Sequence, residues 1–459
     1  MKTFKKILSV LILILSVSIL FGCENFVTTK KTTTKPTKTE STTITTKKEE
    51  EKLFRDNYTP SLFTYVSLTK EEITDGLILY THEIVKSNGD ITAIKELEVD
   101  LSLVNIVAGT KNNMSYDFNY SKTTPHNAGV AYTEATNKKV YATLNADFFG
   151  SYLVNAFVKD GFIVKDSHND NGNYDYKNTS SDVPASAPML FGVKGDTAQV
   201  APIINYTGTI TDANVKKNLI QAKLSYEVKA GIKTFATSDT FKITSEPVQV
   251  TSGDMYAILD LQNGVDNVAV IDLYLANQTK TLNELSGSQV YLYCSKTNTQ
   301  GIEFMGRLGT KVSLSVKSPD GLWDGYTTIL GCRQALVINN EIASTVKLEN
   351  TNGAQSGDIP RSAVGVNKYG KVCIYAVESM YYGKKNSAKD THGCNLPLLA
   401  EFMYYNNIVN GANFDGGGST QLIVKLNGTD TVIVRSSDTG STQLDNTRQV
   451  MNAIMVVEK

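Results

Sequence analysis

Histidine is scarce, with four in 459 residues. No two of them stand at ligand spacing and no Cys-x-x-Cys pair accompanies them, which excludes the common zinc-site patterns. An excess of one charge is lacking too. Lys and Arg number 45, Asp and Glu 46, for a net charge of −1, so there is no broad positive field and nucleic acid is excluded as a partner. No GxGxxG is present and no Walker lysine follows a glycine run, so the usual nucleotide fingerprints are missing. No internal repeat is found, and the chain has one tryptophan. What is plentiful is tyrosine (23) and glycine (33), in a chain that is 41% hydrophobic. That balance excludes disorder of the whole and points to a globular part rich in strands and turns. The length allows one elaborated domain or a few.

The long apolar run is at the start. Lys2, Lys5 and Lys6 precede Ile7 to Phe21, and the run stops at Gly22-Cys23. A basic start, a short apolar stretch and a small residue at the cut make a signal peptide over residues 1–22. The stretch falls short of the ~20 residues of a spanning helix. Leu20-Phe21-Gly22-Cys23 resembles a bacterial lipobox, which implies lipid on Cys23 and an extracytoplasmic protein anchored to the cell membrane. From 23 to 52 the chain is mostly Thr, Lys, Glu and Ser, a polar tether without apolar period.

From residue 53 short alternating runs appear, bounded by Gly, Asn and Asp. Leu77–Tyr80, Ala93–Val104, Val140–Leu144, Ala156–Val164, Val290–Cys294, Ile374–Val377, Leu422–Val424 and Ala453–Val457 read as strands, with Asn88-Gly89, Asp160-Gly161 and Asn427-Gly428 as turns. One helix is predicted over Leu396–Tyr405, capped by Asn395. The class is α+β, a β-rich core of mixed or antiparallel sheet with few helices. Residues 53–459 are expected to form the main domain, with an inserted β-subdomain at about 201–280. Cys332 and Cys394, both beside glycine, are the pair to suspect for a disulfide, while Cys294 and Cys373 sit in strand-like runs as buried thiols.

Chemistry gathers in three stretches. Asn145-Ala146-Asp147-Phe148-Phe149 closes a strand with an amide, a carboxylate and two aromatics. Pro360-Arg361-Ser362-Ala363-Val364-Gly365-Val366 puts one arginine at the mouth of an apolar strand. Asn413-Phe414-Asp415-Gly416-Gly417-Gly418-Ser419-Thr420 sets three glycines between a carboxylate and two hydroxyls. Such glycines permit positive φ and close backbone approach, and successive N–H groups can form an anion-binding concavity. Each stretch also has a structural reading: the phenylalanines as core, Asp147 as a turn cap, Arg361 as a surface ion pair, the glycines as a hairpin.

Taken together and in this order, the stretches resemble the phosphodiester glycosidase family. Leu396–Met403, Arg435–Asp438, Arg448–Val456 and Ala187–Val193 reinforce the resemblance, which runs from about Asp75 to the C-terminus. The departures are Gly331-Cys332-Arg333-Gln334 in place of a glycine-rich stretch, Leu398 in place of an acidic residue, Ser436 in place of proline, and Val377-Glu378-Ser379 closing the strand after the arginine strand. The resemblance implies hydrolysis of a sugar-1-phosphodiester at the anomeric carbon. That reaction needs cations or N–H groups for the departing phosphate and carboxylates for the oxocarbenium-like sugar.

On that reading Arg361 and the N–H groups of Gly416, Gly417 and Gly418 hold phosphate, with Ser419 at the rim and Arg448 as a second contact. Asp415 is the first candidate for base or oxocarbenium stabiliser, with Asp147 and Glu378 competing for the second carboxylate role. Asn145 orients the sugar or a carboxylate, and His392 is a candidate acid. No cofactor is required. Ca²⁺ on Asp415 or Asp147 would need only oxygen ligands. The partners expected are a carbohydrate phosphodiester and, through the lipid, the membrane. The alternative function is an inactive glycan-binding or exopolysaccharide-assembly surface lipoprotein.

Overall fold

The computed structural model describes residues 52–113, 121–150, 153, 155–165, 189–202, 207–212, 220–226, 234–237, 241–244, 247–260, 268–283, 285, 289–297, 299–317, 321–344, 346, 357–379 and 392–459. The lipobox, Cys23 and the tether up to residue 51 lie outside them.

The alternating runs do become strands, and the α+β, β-rich expectation holds. The described ladders are all antiparallel, so mixed pairing is not seen among them. An eight-stranded sheet runs in spatial order Phe63–Thr74, Leu77–Lys86, Ile91–Val99, Val372–Val377, Arg361–Asn367, Ile408–Asn413, Ala335–Ile338, Glu341–Ile342. A five-stranded sheet has Val140–Asn145 at its centre, between Leu422–Leu426 and the C-terminal Ala453–Glu458, with Thr429–Val434 and Val104–Gly109 at its edges. A second five-stranded sheet is ordered Phe162–Lys165, Phe157–Lys159, Thr328–Gly331, Met189–Lys194, Thr197–Pro202. The stretch set apart at 201–280 supplies most strands of a closed barrel, whose last strand is Lys311–Lys317. Leu144, Val364, Tyr375, Phe191 and Phe414 belong to one apolar core shared by the three sheets.

Turns follow the residues predicted for them. Asp160 and Asn427 take φ of 52° and 48°, and the glycines after them 79° and 81°, the pair of positive angles that a two-residue hairpin needs. The predicted helix forms over Leu396–Tyr405, and the Asn395 side chain accepts from the N–H of Leu398. A second helix, Pro125–Thr136, was not expected. Thr124 caps it, Pro125 stands in its first turn and Asn137 ends it in the left-handed region. Its apolar face is small (Pro125, Ala128, Gly129 and Tyr132), which leaves little helical period to read.

The cysteine expectation is corrected. Cys332 and Cys394 are separate buried thiols, not a disulfide. Cys332 follows the strand Thr328–Gly331, while Cys394 bridges to Ile359 in the large sheet's surroundings. Burial pushes the Cys394 thiol up to about 12.

The helix Leu396–Tyr405 also ties down the first described residues. Glu401, buried on it, accepts from Tyr58 Oη (2.8 Å), Ser61 N (2.8 Å), Ser61 Oγ (2.7 Å) and Leu62 N (2.7 Å). A carboxylate so engaged is hard to replace, because each donor loses a charged acceptor. Glu401→Gln is expected to lower unfolding free energy by about 1.5–3 kcal/mol. Chemical denaturation checks this, and an unchanged midpoint would contradict it.

Candidate functional site

Three sheets meet where the distinctive stretches end. Val140–Asn145 delivers Asn145, Thr328–Gly331 leads into Cys332-Arg333, and Ile408–Asn413 leads into Asp415. Backbone bonds join them: Asp415 N–H donates to Ala146 O (2.9 Å), Phe414 N–H to Ser362 O (2.8 Å) and Arg333 N–H to Asn413 O (3.0 Å). The buried Asn145 amide donates to Asp415 O at 2.6 Å, and its oxygen accepts from Ser362 Oγ at 2.9 Å and Gln421 N at 3.3 Å. Asn145 therefore fixes the Asp415 backbone rather than pointing at solvent.

Asp415 is largely withdrawn from water but keeps some exposure. Burial pushes its carboxyl up to about 6, opposed by bonds from the Ser419 hydroxyl and Gly416 N–H and by the charges of Arg448 and Arg333. The last two show that both guanidinium groups act on this carboxylate. Arg448 is half-exposed and tied to Asp438 at 2.7 Å. Arg333 is exposed, its guanidinium carbon 5.4 Å from the centre of the partly buried Phe148 ring. A largely buried carboxyl pushed up to about 6 thus feels the charge of two arginines, one of them over the Phe148 ring.

The glycines have distinct uses. Gly417 has φ of +59° and begins a short 3-10 turn. A Cβ on Gly418 would lie 2.0 Å from Asp438 Oδ1, so Gly418 lets Asp438 approach and hold Arg448. The expected phosphate cradle is only partly available. Gly416 N–H serves Asp415 and Gly417 N–H donates to Pro360 O at 2.8 Å. Ser436, the departure from proline, donates its hydroxyl to Gly418 O. Gly418→Ala displaces Asp438 and frees Arg448, and misplacement on this scale is expected to lower kcat/KM about 10²-fold. The fold is expected to survive, because the clash falls on the end of a side chain. Steady-state kinetics and thermal unfolding on the same sample check both halves.

Other predicted residues have their own partners. Arg361 is 5% exposed, and its Nε and Nη2 donate to Cys394 O (3.0 Å) and Gly357 O (3.1 Å). Its fork is engaged with carbonyls, so it braces the loops beside the cleft. Asp147 is 1% exposed, with its oxygens accepting from Asn155 N (3.0 Å) and Asn155 Nδ2 (2.7 Å). Gly331 makes that approach possible, since a Cβ there would lie 2.5 Å from Asp147 Cγ. Glu378 pairs with Arg435 at 2.5 Å. His392 Nδ1 is 3.9 Å from Asp90 Oδ2, and the His392 backbone N–H donates to Ile91 O, which ties the residue to the hairpin of the large sheet rather than to the glycine loop.

Sequence reading passed over Arg333, Asn155 and Asp438 as functional residues. Arg333 was visible only as a departure in Gly331–Gln334. Asp438 closes the Arg435–Asp438 stretch that carries part of the resemblance, without a role assigned to it, and nothing local marks Asn155.

Calcium does not suit these carboxylates. The positive charges of Arg448 and Arg333 act on Asp415, and Asn155 donates to both oxygens of Asp147. Among the described residues, Glu96, Glu98 and Cys373 also lie close enough to share an ion. Glu96 already accepts from Tyr375 and bonds to His82.

Residues 266–457 match the phosphodiester glycosidase family. The phosphodiester glycosidase match spans Arg333, Arg361, Glu378, His392, Asp415 and Arg448 but begins after Asn145 and Asp147. The fold is similar to the crystal structure of a hypothetical protein from Synechocystis, with a TM-score of 0.51 and 15% identity over 86% of this chain and 64% of that one. The chain therefore spans less than two thirds of that protein. Lower similarity is found to a putative exported protein from Burkholderia pseudomallei, with a TM-score of 0.45 and 15% identity over 80% of this chain and 74% of that one. The auto-inhibited catalytic domain of zebrafish N-acetylglucosamine-1-phosphodiester alpha-N-acetylglucosaminidase gives a TM-score of 0.42 and 12% identity over 87% and 89%. No curated protein matches the chain.

Proposed function

We propose that the chain hydrolyses a sugar-1-phosphodiester at the anomeric carbon, releasing free sugar and a phosphomonoester. The observation that carries this reading is Asp415, a carboxyl pushed up to about 6 by burial and acted on by the charges of Arg448 and Arg333. As the anomeric bond breaks, positive charge grows on the sugar and negative charge on the departing phosphate. Asp415, ionised above about pH 6, stabilises the first or draws a proton from water. Arg333 and Arg448 receive the second through planar forks suited to phosphate oxygens. Phe148 offers its face to the sugar ring.

Asn145 and Ser419 position Asp415, while Arg361 and Asp147 brace the loops on either side. Glu378, through Arg435, holds the segment that continues to Ser436 and Asp438. A phosphate ester is a fair leaving group, so the scheme makes no use of His392. No calcium step is included, because the arginines and Asn155 already serve these carboxylates. The setting proposed is extracytoplasmic, with the chain lipid-anchored through Cys23 and acting on surface or extracellular glycans.

The experiment uses the purified full chain and a panel of glucose, galactose and N-acetylglucosamine 1-phosphodiesters of a short alcohol. Free sugar and phosphomonoester are quantified separately. Equal release of both is expected, with loss in Arg333→Ala and Arg448→Ala variants that still fold. No release from any member, with glycan binding retained, would replace the hydrolase by a glycan-binding protein.

A further inference from the structure

Gln421 stands between the glycine turn and the strand Leu422–Leu426. Leu422 pairs with Leu144 in an antiparallel ladder, so the register carries Gln421 toward Asn145. The residue is 0% exposed. Its backbone N–H donates to Asn145 Oδ1 at 3.3 Å, and Asn145 Nδ2 in turn donates to Asp415 O at 2.6 Å. Its side-chain Nε2 donates to Arg448 O at 2.6 Å and to Ser419 O at 3.5 Å. One residue therefore touches three supports of the site. They are the amide that holds the Asp415 backbone, the serine whose hydroxyl bonds the Asp415 carboxyl, and the main chain of Arg448.

The Gln421 amide has one orientation open to it. Both atoms that face Nε2 are carbonyl oxygens, so a reversed amide would set oxygen against oxygen. The other end, Oε1, is consequently buried with no hydrogen-bond partner, a penalty that native proteins seldom retain without a reason. An apolar side chain of the same length would avoid that penalty and would give up the donor to Arg448 O. With the amide in place Arg448 is held at both ends, its guanidinium by Asp438 at 2.7 Å and its carbonyl by Gln421.

We propose that Gln421 is a positioning residue, which through Nε2 keeps the main chains of Arg448 and Ser419 in fixed register with Asp415. The consequence is electrostatic. Burial pushes the Asp415 carboxyl up to about 6, against the Ser419 hydroxyl, the Gly416 N–H and the charges of Arg448 and Arg333. Two of those four opposing influences hang on Gln421. Arg333 comes from the end of another strand, Asp438 acts through Arg448, and the Arg361 fork is engaged with carbonyls. None of them replaces the lost tie. Removing the Nε2 donor loosens Ser419 and Arg448 together and lets the carboxyl rise. Only the kinetic arm of the test rests on the proposed hydrolysis.

The test follows the Asp415 carboxyl carbon by NMR in the full chain, with Asp415→Asn assigning the signal, in wild type and in Gln421→Met. Methionine keeps the unbranched shape and removes both amide atoms, so the thermal midpoint should stay close to that of wild type. The Asp415 titration midpoint is expected to rise by about half a pH unit or more. On a sugar-1-phosphodiester, kcat/KM should fall about 10²-fold, with the acidic limb moved up alongside the titration. Gln421→Asn is polar but too short to reach Arg448 O. It should shift the midpoint in the same direction, and it carries the test if the methionine variant fails to fold. An unchanged Asp415 midpoint in the variants that fold overturns the proposal. Lost thermal stability without that shift would make Gln421 a packing residue and overturn it equally. A shifted midpoint in a chain that releases no sugar supports the positioning role and counts against the hydrolysis alone.

Discussion

Asp415→Asn is expected to lower kcat/KM on a sugar-1-phosphodiester by about 10²–10⁴, the range for removing a positioned acid–base group. The substitution keeps shape and the bond from Gly416 N–H, so substrate binding should change far less than turnover. The pH dependence carries more information than the loss itself. Burial places the carboxyl at about 6, and a group that acts while ionised loses activity about tenfold per pH unit below that value. The charges of Arg448 and Arg333 hold the value down, so Arg448→Ala should move the acidic limb to higher pH. A wild-type profile flat between pH 4 and 8 would remove Asp415 from the chemistry.

The same shift makes a stability statement with a definite sign. Folded, the Asp415 carboxyl holds its proton up to about pH 6, whereas the unfolded chain releases it near 3.8. Its contribution to stability is thus fully present below pH 3.8 and lost as pH rises through 6. At pH 7 the ionised group destabilises the fold by up to about 3 kcal/mol. Asp415→Asn should then raise the thermal midpoint at pH 7 and match wild type near pH 3.5. Gain of stability with loss of turnover is the pattern of a residue kept for function.

Most of the fold was legible because local signals agreed with the tertiary outcome. Asn395 followed by an apolar period, and Asp160-Gly161 between alternating runs, each have one good local solution. Helix Pro125–Thr136 was not legible, because its buried face is made of Pro, Ala, Gly and Tyr rather than a long apolar stripe. At the site, Asp415 and the glycines stood out since three consecutive glycines serve no ordinary sheet. Arg361 has the residue type of a phosphate ligand, but only the fold reveals that carbonyls of Gly357 and Cys394 surround its fork. Arg333 comes to Asp415 because the strand Thr328–Gly331 ends at the junction of three sheets. That is a long-range fact, absent from any window of sequence.

The largest expected loss of stability lies away from the cleft, in the polar cluster under the eight-stranded sheet. His82 Nε2 and Glu96 Oε2 are 2.7 Å apart, and both side chains are fully buried. Tyr65 Oη lies 3.1 Å from His82 Nδ1, Tyr375 Oη donates to Glu96 Oε1 at 3.3 Å, and Asn406 Nδ2 donates to Tyr375 Oη at 2.7 Å. Phe54 and Phe402 stack edge-on against the His82 ring, which keeps water from replacing a lost partner. Glu96→Ala is therefore expected to lower unfolding free energy by about 3–5 kcal/mol, the cost of breaking a buried pair from one side. The double variant His82→Leu with Glu96→Leu removes both members and fills the volume with carbon, and it should lose much less than the two single variants combined. Urea denaturation of wild type, His82→Leu, Glu96→Leu and the double variant measures that coupling directly. Additive losses would mean that the pair contributes packing alone, and that the cluster does not act as one unit.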